Sequence, residues 1–221
     1  MKKQLTGWLL AVALVVAPWS GISRAATVPL SSLLNGGTFQ SGDKVFSDFG
    51  YSATGDMPPA TAVNIEDITD TNGDYGIRIS GGFVDQVGGG ASDAIVTFNV
   101  SVAPNVNKWI DGVTLSANPA VFAGTGLASV TETFIPTITD DKLVVYDFDN
   151  GQVKLLDSIA FNQGYKSIPV QKDIILHATG NSGAVTMSFV DQTFHQVPEP
   201  TSLVLALGGL CSLGVIRRRV R

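Results

Sequence analysis

The feature that most constrains the fold of this chain is a strict alternation of apolar and polar side chains near its middle. The apolar positions of this segment are Val96, Phe98, Val100 and Val102, with a polar residue between each pair. Successive side chains of a β-strand point to opposite faces, so this period of two predicts a strand with one buried and one solvated face. Similar but shorter patterns predict further strands at Tyr75 to Ile79, Val113 to Leu115, Leu143 to Phe148, Val153 to Leu156, Ile174 to Leu176 and Val185 to Phe189.

The segments between the predicted strands are rich in glycine, asparagine and proline, which favour turns. These segments are Asn35-Gly36-Gly37, Met57-Pro58-Pro59, Gly88-Gly89-Gly90, Asn118-Pro119 and Asn181-Ser182-Gly183. Asn150-Gly151 joins two strands and predicts a two-residue type I′ hairpin, because both central positions of that turn need positive φ. Between the two ends of the chain, only Pro29 to Asn35 has a pattern that predicts a single helical turn.

Many short strands joined by turns, without helices between them, predict an all-β fold in which two antiparallel sheets pack as a sandwich. About eight strands favour a jelly-roll-like topology, and an immunoglobulin-like arrangement is the alternative. Roughly 170 residues are enough to close one sizeable core, so we expect a single sandwich domain at residues 26–196.

The start of the chain has the parts of a secretory signal peptide. Two lysines precede the apolar run Trp8 to Pro18, and Ser23-Arg24-Ala25 places small residues where a signal peptidase cuts. We expect residues 1–25 to direct export through Sec-type machinery and to be removed, with cleavage after Ala26 as the alternative. A retained membrane helix is less consistent with the sequence, because Leu9 to Ala17 is too short to span a bilayer.

A second apolar segment lies near the other end of the sequence. No charged residue occurs from Leu203 to Ile216, and the residues that follow include Arg217, Arg218, Arg219 and Arg221. Each arginine would cost about 2.5 to 3.5 kcal/mol at the bilayer centre, so the cluster predicts a membrane stop on the cytoplasmic side. A helix from Thr201 to Ile216 would be roughly 24 Å long, against a hydrocarbon core of ~30 Å, so this transmembrane helix is expected to be a marginal anchor.

Directly before this segment lies Val197-Pro198-Glu199-Pro200. The two prolines remove two backbone donors and disfavour a helix, so the motif is predicted to be extended and accessible to a processing enzyme at the membrane face. The order of motif, short apolar helix and arginine cluster resembles the PEP-CTERM sorting signal of exported bacterial proteins. An ordinary C-terminal tail anchor with a proline hinge is the alternative.

The resemblance implies a function for residues 197–221 as a sorting signal. It implies that the chain is secreted, held briefly by the helix and processed near Pro198-Glu199-Pro200 by the integral membrane enzyme exosortase. It also implies delivery of the processed protein to the envelope surface or to an exopolysaccharide matrix.

The body of the protein is strongly acidic once the terminal segments are set aside. Residues 26–196 contain 7 of the 14 basic and 18 of the 19 acidic residues, a net charge of −11. Phosphate backbones and anionic lipids repel such a domain, which disfavours nucleic-acid binding. Solubility outside the cell explains the charge most simply, and binding of calcium or of a cationic polymer is the alternative. Cys211 lies in the apolar segment, so the body has no disulfide and no cysteine-based site.

Few residues of the body point to catalysis. His177 and His195 have no carboxylate beside them in sequence and no Gly-x-Ser-x-Gly motif accompanies them. We expect His177 at a sheet edge and His195 in a linker, and two histidines without a thiol are too few for a zinc site. Glu66 and Glu132 are the only glutamates of the body, and nothing in the sequence identifies them as a glycosidase pair. We therefore expect no catalytic residues and no enzymatic activity.

Two acidic runs are candidates for calcium binding. One contains Asp70, Asn72 and Asp74, and the other contains Asp147 and Asp149. Both lack the spacing of an EF-hand loop, and aspartate and asparagine also form turns by bonding their own backbone. Turn formation is therefore the simpler interpretation, and calcium is the only cofactor that the sequence suggests.

Trp109 is the only tryptophan of the body, and the sequence around it is typical of a loop. A tryptophan in a loop either offers an open platform for a sugar ring or, more commonly, plugs the end of a sandwich.

These observations predict an exported, non-enzymatic envelope or extracellular-matrix protein that is associated with exopolysaccharide. A carbohydrate- or calcium-binding surface module and, less consistent with the sequence, a secreted hydrolase are the alternatives. The expected partners are the Sec-type export machinery, signal peptidase, exosortase and exopolysaccharide, together with the membrane through the C-terminal helix. The precursor is expected in the inner membrane, and the mature domain in the periplasm, at the cell surface or in the matrix.

Overall fold

A computed structural model of the protein describes residues 27–122 and 124–199. The strands within these residues are β1 (Thr27–Pro29), β2 (Phe39–Ser41), β3 (Lys44–Thr54), β4 (Asn64–Thr69), β5 (Tyr75–Gln86), β6 (Ser92–Val102), β7 (Lys108–Ala117), β8 (Ala120–Phe122), β9 (Gly126–Thr133), β10 (Leu143–Phe148), β11 (Val153–Lys154), β12 (Leu156–Tyr165), β13 (Ser167–Ala178) and β14 (Ala184–Pro198). Two single-turn 3₁₀ helices are present at Leu30–Ser32 and Ala60–Ala62.

The predicted signal peptide, residues 1–25, lies outside the described residues, as do the predicted transmembrane helix and its arginine cluster. In the part of the chain that the structure describes, no helix has the length and apolar character needed to cross a membrane.

The strands form two antiparallel sheets. In the first sheet the order is β1-β4-β5-β14-β7-β12, and the short strand β8 also pairs with β14. In the second sheet the order is β11-β10-β9-β13-β6-β3-β2. The last two long strands return to the middle of the sheets, since β14 lies between β5 and β7 and β13 lies between β6 and β9. This is the double Greek key of a jelly roll, so the predicted jelly-roll-like sandwich is confirmed and the immunoglobulin-like alternative is not found.

The sheets pack through the apolar half of each alternating strand. In β6 the inward side chains are buried, as the alternation predicts: Ala94, Val96, Phe98 and Val100. Aromatic rings from both sheets meet in the centre, where the Phe46 ring centroid lies 5.8 Å from those of Phe98 and Phe194. Burial of each such side chain contributes about 1.5 to 3 kcal/mol, so apolar contact between the sheets is the main source of stability.

A buried ion pair lies within this core. Lys172 on β13 donates to the Glu132 carboxylate on β9 and to the side-chain carbonyl of Gln192 on β14, so it links the two sheets. All three side chains are fully buried, and among the described residues Glu132 Oε1 and Gln192 Nε2 have no hydrogen-bond partner of good geometry. Burial raises the pKa of Glu132 and lowers the pKa of Lys172, because it disfavours both charged forms, and their mutual attraction opposes both shifts.

The Asn150-Gly151 hairpin forms between β10 and β11, but its turn differs from the predicted type. The Phe148 N–H bonds to the carbonyl of Gln152 at 2.9 Å, which leaves three residues in the loop. Gly151 has a φ of +81°, whereas Asn150 has no positive φ and uses its side-chain oxygen to accept from the Gln152 N–H. The turn is therefore a three-residue loop closed by one left-handed glycine.

Two further predicted elements are a strand at residues 153–156 and a single helical turn near the start of the sandwich. The predicted strand Val153 to Leu156 is two strands, because the chain crosses from the second sheet to the first at Leu155. The helical turn predicted within Pro29 to Asn35 is present as the 3₁₀ helix Leu30–Ser32.

Candidate functional site

The solvent face of the first sheet is built by alternate residues of five neighbouring strands: β4, β5, β14, β7 and β12. The pairing register aligns these residues in rows across the sheet. One row contains Glu66, Arg78, Asp191, Ser116 and Leu156, and the next contains Ile68, Gly76, Thr193, Thr114 and Ser158. Polar side chains from distant parts of the sequence therefore lie side by side on one surface.

A groove of about 470 Å³ lies over these rows, and the turn between β4 and β5 forms part of its wall. Six lining side chains carry hydroxyl groups: Thr69, Thr71, Thr114, Ser116, Ser158 and Thr193. We call this surface the hydroxyl groove. A hydroxyl group can donate one hydrogen bond and accept two, so these side chains bring donors and acceptors to the hydroxyl groove, although the Thr193 hydroxyl uses its donor within the protein.

Gly76 lies on the second of these rows, where β5 and β14 approach each other closely. A Cβ atom at this position would lie 1.8 Å from the backbone oxygen of Gln192 on β14, far inside van der Waals contact. Only glycine lets β5 and β14 approach this closely. On the same row the Thr193 hydroxyl donates to the Asp70 carboxylate at 3.3 Å, so the β4–β5 turn is tied to the floor.

Arg78 is the most strongly positioned side chain of the hydroxyl groove. Its Nε and Nη2 donate to the two carboxylate oxygens of Asp191 at 2.7 and 2.8 Å, and its Cζ lies 4.1 Å from the Phe189 ring centroid. The hydrogen bond to Asp191 raises the pKa of Arg78 above its usual range. Two of the five N–H donors of the guanidinium are used in this pair, so a rigid planar fork remains for a ligand.

The carboxylates at this surface accept hydrogen bonds from neighbouring side chains, and they do not face each other as the two carboxyl groups of a glycosidase do. The Ser80 hydroxyl donates to Glu66 Oε1 at 2.5 Å, and Arg78 occupies both oxygens of Asp191. Glu132, the other glutamate considered for a glycosidase, lies between the sheets and does not reach the hydroxyl groove.

The two acidic runs considered for calcium binding belong to different sheets. Asp70 forms the β4–β5 turn, where its Oδ1 accepts from the N–H groups of Asn72 and Asp74 at 2.8 and 2.9 Å. Asp147 lies in β10, and Asp149 accepts from the Gly126 N–H at 3.1 Å. Among residues 27–122 and 124–199, no three His, Cys, Asp or Glu side chains are grouped so that they could hold a metal ion. Bonding to the backbone of its own turn accounts for Asp70, and Asp149 instead accepts from the first residue of β9.

Both histidines lie in positions that differ from the sequence-based expectation. His195 is not in a linker: it lies in β14, and its Nδ1 is 2.6 Å from the carboxylate of Asp111 on β7. His177 is not at a sheet edge, because β13 is the central strand of the second sheet. The sequence separation between His195 and Asp111 hides their contact, which only the pairing of β14 with β7 creates.

Trp109 lies in strand β7 and not in a loop. A Cβ atom at Gly164 would lie 2.6 Å from the Cβ of Trp109, so β12 packs tightly on this side chain, which is half-buried. The two roles considered for Trp109 were an open sugar platform and a plug at the end of the sandwich. Its packing against β12 favours the second.

The predicted sorting motif begins inside the sandwich. Val197 and Pro198 form the end of β14 and pair with Trp109 and Lys108 on β7. Strand β14 therefore includes the first two residues of the predicted motif. Glu199 is the last described residue, and Pro200, Arg217, Arg218, Arg219 and Arg221 lie outside the described part of the chain.

The residues of the hydroxyl groove were not identified from the sequence. The alternation of Thr114 and Ser116 with Val113 and Leu115 shows that β7 has a polar face. It does not show which strands lie beside β7, and the groove exists only because five strands are neighbours.

The sequence contains one match to a known signal. Residues 196–220 match the PEP-CTERM protein-sorting motif, one residue away from the predicted segment at each end. No curated protein matches the chain.

Solved structures that are distantly similar to this one include three with different roles. The carbohydrate-binding module TmCBM61 in complex with β-1,4-galactotriose has 9% identity and a TM-score of 0.29, over 67% of this chain and 88% of that chain. The enzymatically active domain of bacteriophage CBA120 tailspike protein 4 has 13% identity and a TM-score of 0.30, over 67% of this chain and 20% of that chain. The glycosylation-associated protein complex Gap123 from Streptococcus agalactiae has 13% identity and a TM-score of 0.28, over 66% of this chain and 26% of that chain. Similarities at this level carry no argument about ligands, and the fold class rests on the strand pairing itself.

Proposed function

We propose that this chain, which carries a PEP-CTERM protein-sorting motif at residues 196–220, is a non-enzymatic envelope or matrix protein whose sandwich binds exopolysaccharide through the hydroxyl groove. The motif implies an exported protein that exosortase processes and that is sorted to the cell surface. The assignment to a polysaccharide ligand rests on the chemistry of the groove.

The observation that carries the proposal is the row of hydroxyl groups beside a fixed guanidinium fork. A sugar presents several hydroxyl groups at close spacing, each both donor and acceptor, together with apolar C–H faces. Thr114 and Ser116 present hydroxyl groups on the same face of β7, Ser158 presents another on β12, and Arg78 supplies directed donors. Leu156, which is 59% exposed, gives an apolar contact at the edge of the same surface.

The length of the groove favours a polymer over a single sugar. It extends across β4, β5, β14, β7 and β12, and neighbouring strands lie ~4.8 Å apart, so a chain of several sugar units fits across the sheet. The net charge of −11 over residues 26–196 repels acidic polymers, so the preferred ligand is a neutral polysaccharide.

The proposal includes no hydrolysis. A glycosidase needs one carboxylic acid that gives a proton and one carboxylate that faces it across the glycosidic bond. In the hydroxyl groove Asp191 is fully engaged by Arg78, and Asp70 accepts three hydrogen bonds from its own turn and from Thr193. Binding without turnover is the role that this arrangement supports.

The test is affinity electrophoresis of the purified exported protein in gels that contain exopolysaccharide from the producing cells. We expect retardation of the wild type and at least a tenfold loss of affinity in Arg78→Met. We also expect a smaller loss in Thr114→Val, which removes one hydroxyl group and keeps the side-chain shape. Thr131→Val is the matched control, because Thr131 lies on the solvent face of the second sheet.

Binding in the hydroxyl groove, hydrolysis of the polysaccharide and unfolding of a variant give different results in this experiment. Equal retardation of Arg78→Met, Thr114→Val and the wild type would contradict binding in the hydroxyl groove. Release of new reducing ends from the polysaccharide would show hydrolysis and contradict the non-enzymatic role. The melting temperature of each variant shows whether a loss of binding comes from unfolding.

A further inference from the structure

The end of β14 holds part of the sorting motif against the sandwich. Val197 and Pro198 pair with Trp109 and Lys108, and the Glu199 N–H donates to the Asn107 carbonyl at 3.1 Å. The chain beyond His195 therefore continues as paired strand and does not leave the sandwich at the start of the motif.

The glutamate of the motif is bound through its side chain as well. Its carboxylate forms an ion pair with Lys166, the residue between β12 and β13. Lys166 is itself fixed, since its Nζ donates to the Lys108 carbonyl at 2.8 Å and lies 5.6 Å from the Trp109 ring centroid. The hydrogen bond from Lys166 also holds the pKa of Glu199 below its ordinary value.

Together these groups form a peptide site at the rim of the first sheet. We call the set of Asn107, Lys108, Trp109 and Lys166 the motif clasp. It recognises an extended peptide in the manner of strand addition, with backbone hydrogen bonds along β7 and one charged contact to a side chain. Its ligand in this structure is the chain's own Val197-Pro198-Glu199.

Binding in the motif clasp competes with binding to a processing enzyme. A transpeptidase or protease needs an extended substrate with free backbone groups, and the clasp occupies the Glu199 N–H and its carboxylate. We propose that the folded sandwich binds its own sorting motif in this clasp and that exosortase, whose action on this chain is part of the proposed function, acts only on the released motif, so that the population of the open clasp sets the rate of processing. A process that acts only on the open form proceeds at a rate proportional to the open population.

The test measures conversion of the full-length precursor to the processed protein in exosortase-containing cells, by pulse labelling and mass. Lys166→Met removes the ion pair and should speed conversion about two- to fivefold, the range expected for an exposed pair. Lys166→Glu repels Glu199 and should speed it further, and Lys166→Arg should behave as the wild type. Lys154→Met is the matched control, because Lys154 is 41% exposed, close to the 45% of Lys166, and pairs with Asp157 away from the motif.

Unchanged or slower conversion of Lys166→Met would overturn the proposal. Rates that follow the melting temperatures of the four variants, and not the charge at position 166, would also overturn it, because unfolding would then release the motif. Polysaccharide binding is measured separately in the same variants and should stay at the wild-type level, so failure of the motif clasp and failure of the hydroxyl groove give different results.

Discussion

Several ionisable side chains of this sandwich lie where burial opposes their charge. The pair of Lys172 and Glu132 is fully buried between the sheets, and the pair of Asp93 and Asp173 lies on the solvent face of the second sheet. Alternation with Val170 and Ile174 places Lys172 on the inward face of β13. The sequence does not show its partner, because the partner lies 40 residues away on β9.

The buried pair should show strong coupling in a double-mutant cycle. Lys172→Met or Glu132→Leu alone leaves one charge buried without its partner and should lower the free energy of unfolding by about 3 to 5 kcal/mol. The double variant replaces both charges by apolar groups of similar size and should be more stable than either single variant. Urea unfolding of the four purified proteins measures this cycle, and additive single effects would contradict it.

The carboxyl pair predicts a pH dependence of stability. Burial and the neighbouring Asp93 raise the pKa of Asp173 to about 6, above the ordinary value of about 3.9. Between pH ~4 and about 6 the folded state binds more protons than the unfolded state. The contribution of Asp173 to the free energy of unfolding is therefore fully present below pH ~4 and is lost as the pH rises to about 6.

Asp173→Asn replaces the carboxyl group with an amide that does not titrate, so it removes the pH dependence that Asp173 gives to the stability. We expect the variant to have a higher melting temperature than the wild type at pH 7.5, and the difference to shrink as the pH is lowered to 4. Melting curves of both proteins across this pH range measure the effect, and a difference that does not change with pH would contradict it.

At the scale of the strands, period-two alternation located β6, β10, β11 and parts of β5, β7, β13 and β14, and it missed β3, β9 and nearly all of β12 for physical reasons. In β9 the inward residues are Gly126, Ala128, Val130 and Glu132. Because most of them are small or charged, the sequence of β9 shows no clear apolar alternation. In β3 a bulge between Ser47 and Gly50 shifts the register, with Asp48 at a φ of +55°. β12 is an edge strand with exposed apolar residues, so its two faces do not differ in polarity.

The contact between β5 and β14 can be tested at one position. Gly76→Ala places a Cβ against the backbone of β14 and should lower the free energy of unfolding by about 1 to 3 kcal/mol, because one strand must move. Gly82→Ala is the control on the same strand, where a Cβ meets no atom within 4 Å. We expect Gly82→Ala to leave the stability nearly unchanged in the same unfolding experiment. Equal effects of the two substitutions would contradict the close approach.

At the scale of the whole molecule, the sequence predicted the architecture and the sorting signal but not the candidate site. The sorting motif is local, so its residues are recognised wherever the chain folds. The hydroxyl groove depends on strand order, since Arg78 and Asp191 are 113 residues apart and meet only because β14 returns beside β5. Because β14 also lies beside β7, the first residues of the sorting motif pair with β7. The sorting signal is therefore in direct contact with the sandwich domain.

The most direct test of the central claim, polysaccharide binding in the hydroxyl groove, is a map of backbone amide chemical shifts in the purified exported protein. Added exopolysaccharide should shift the amides of Thr114, Ser116 and Thr193 and leave those of Thr97 and Thr131, on the solvent face of the second sheet, unchanged. Shifts confined to the second sheet, or no shifts at all, would contradict the account.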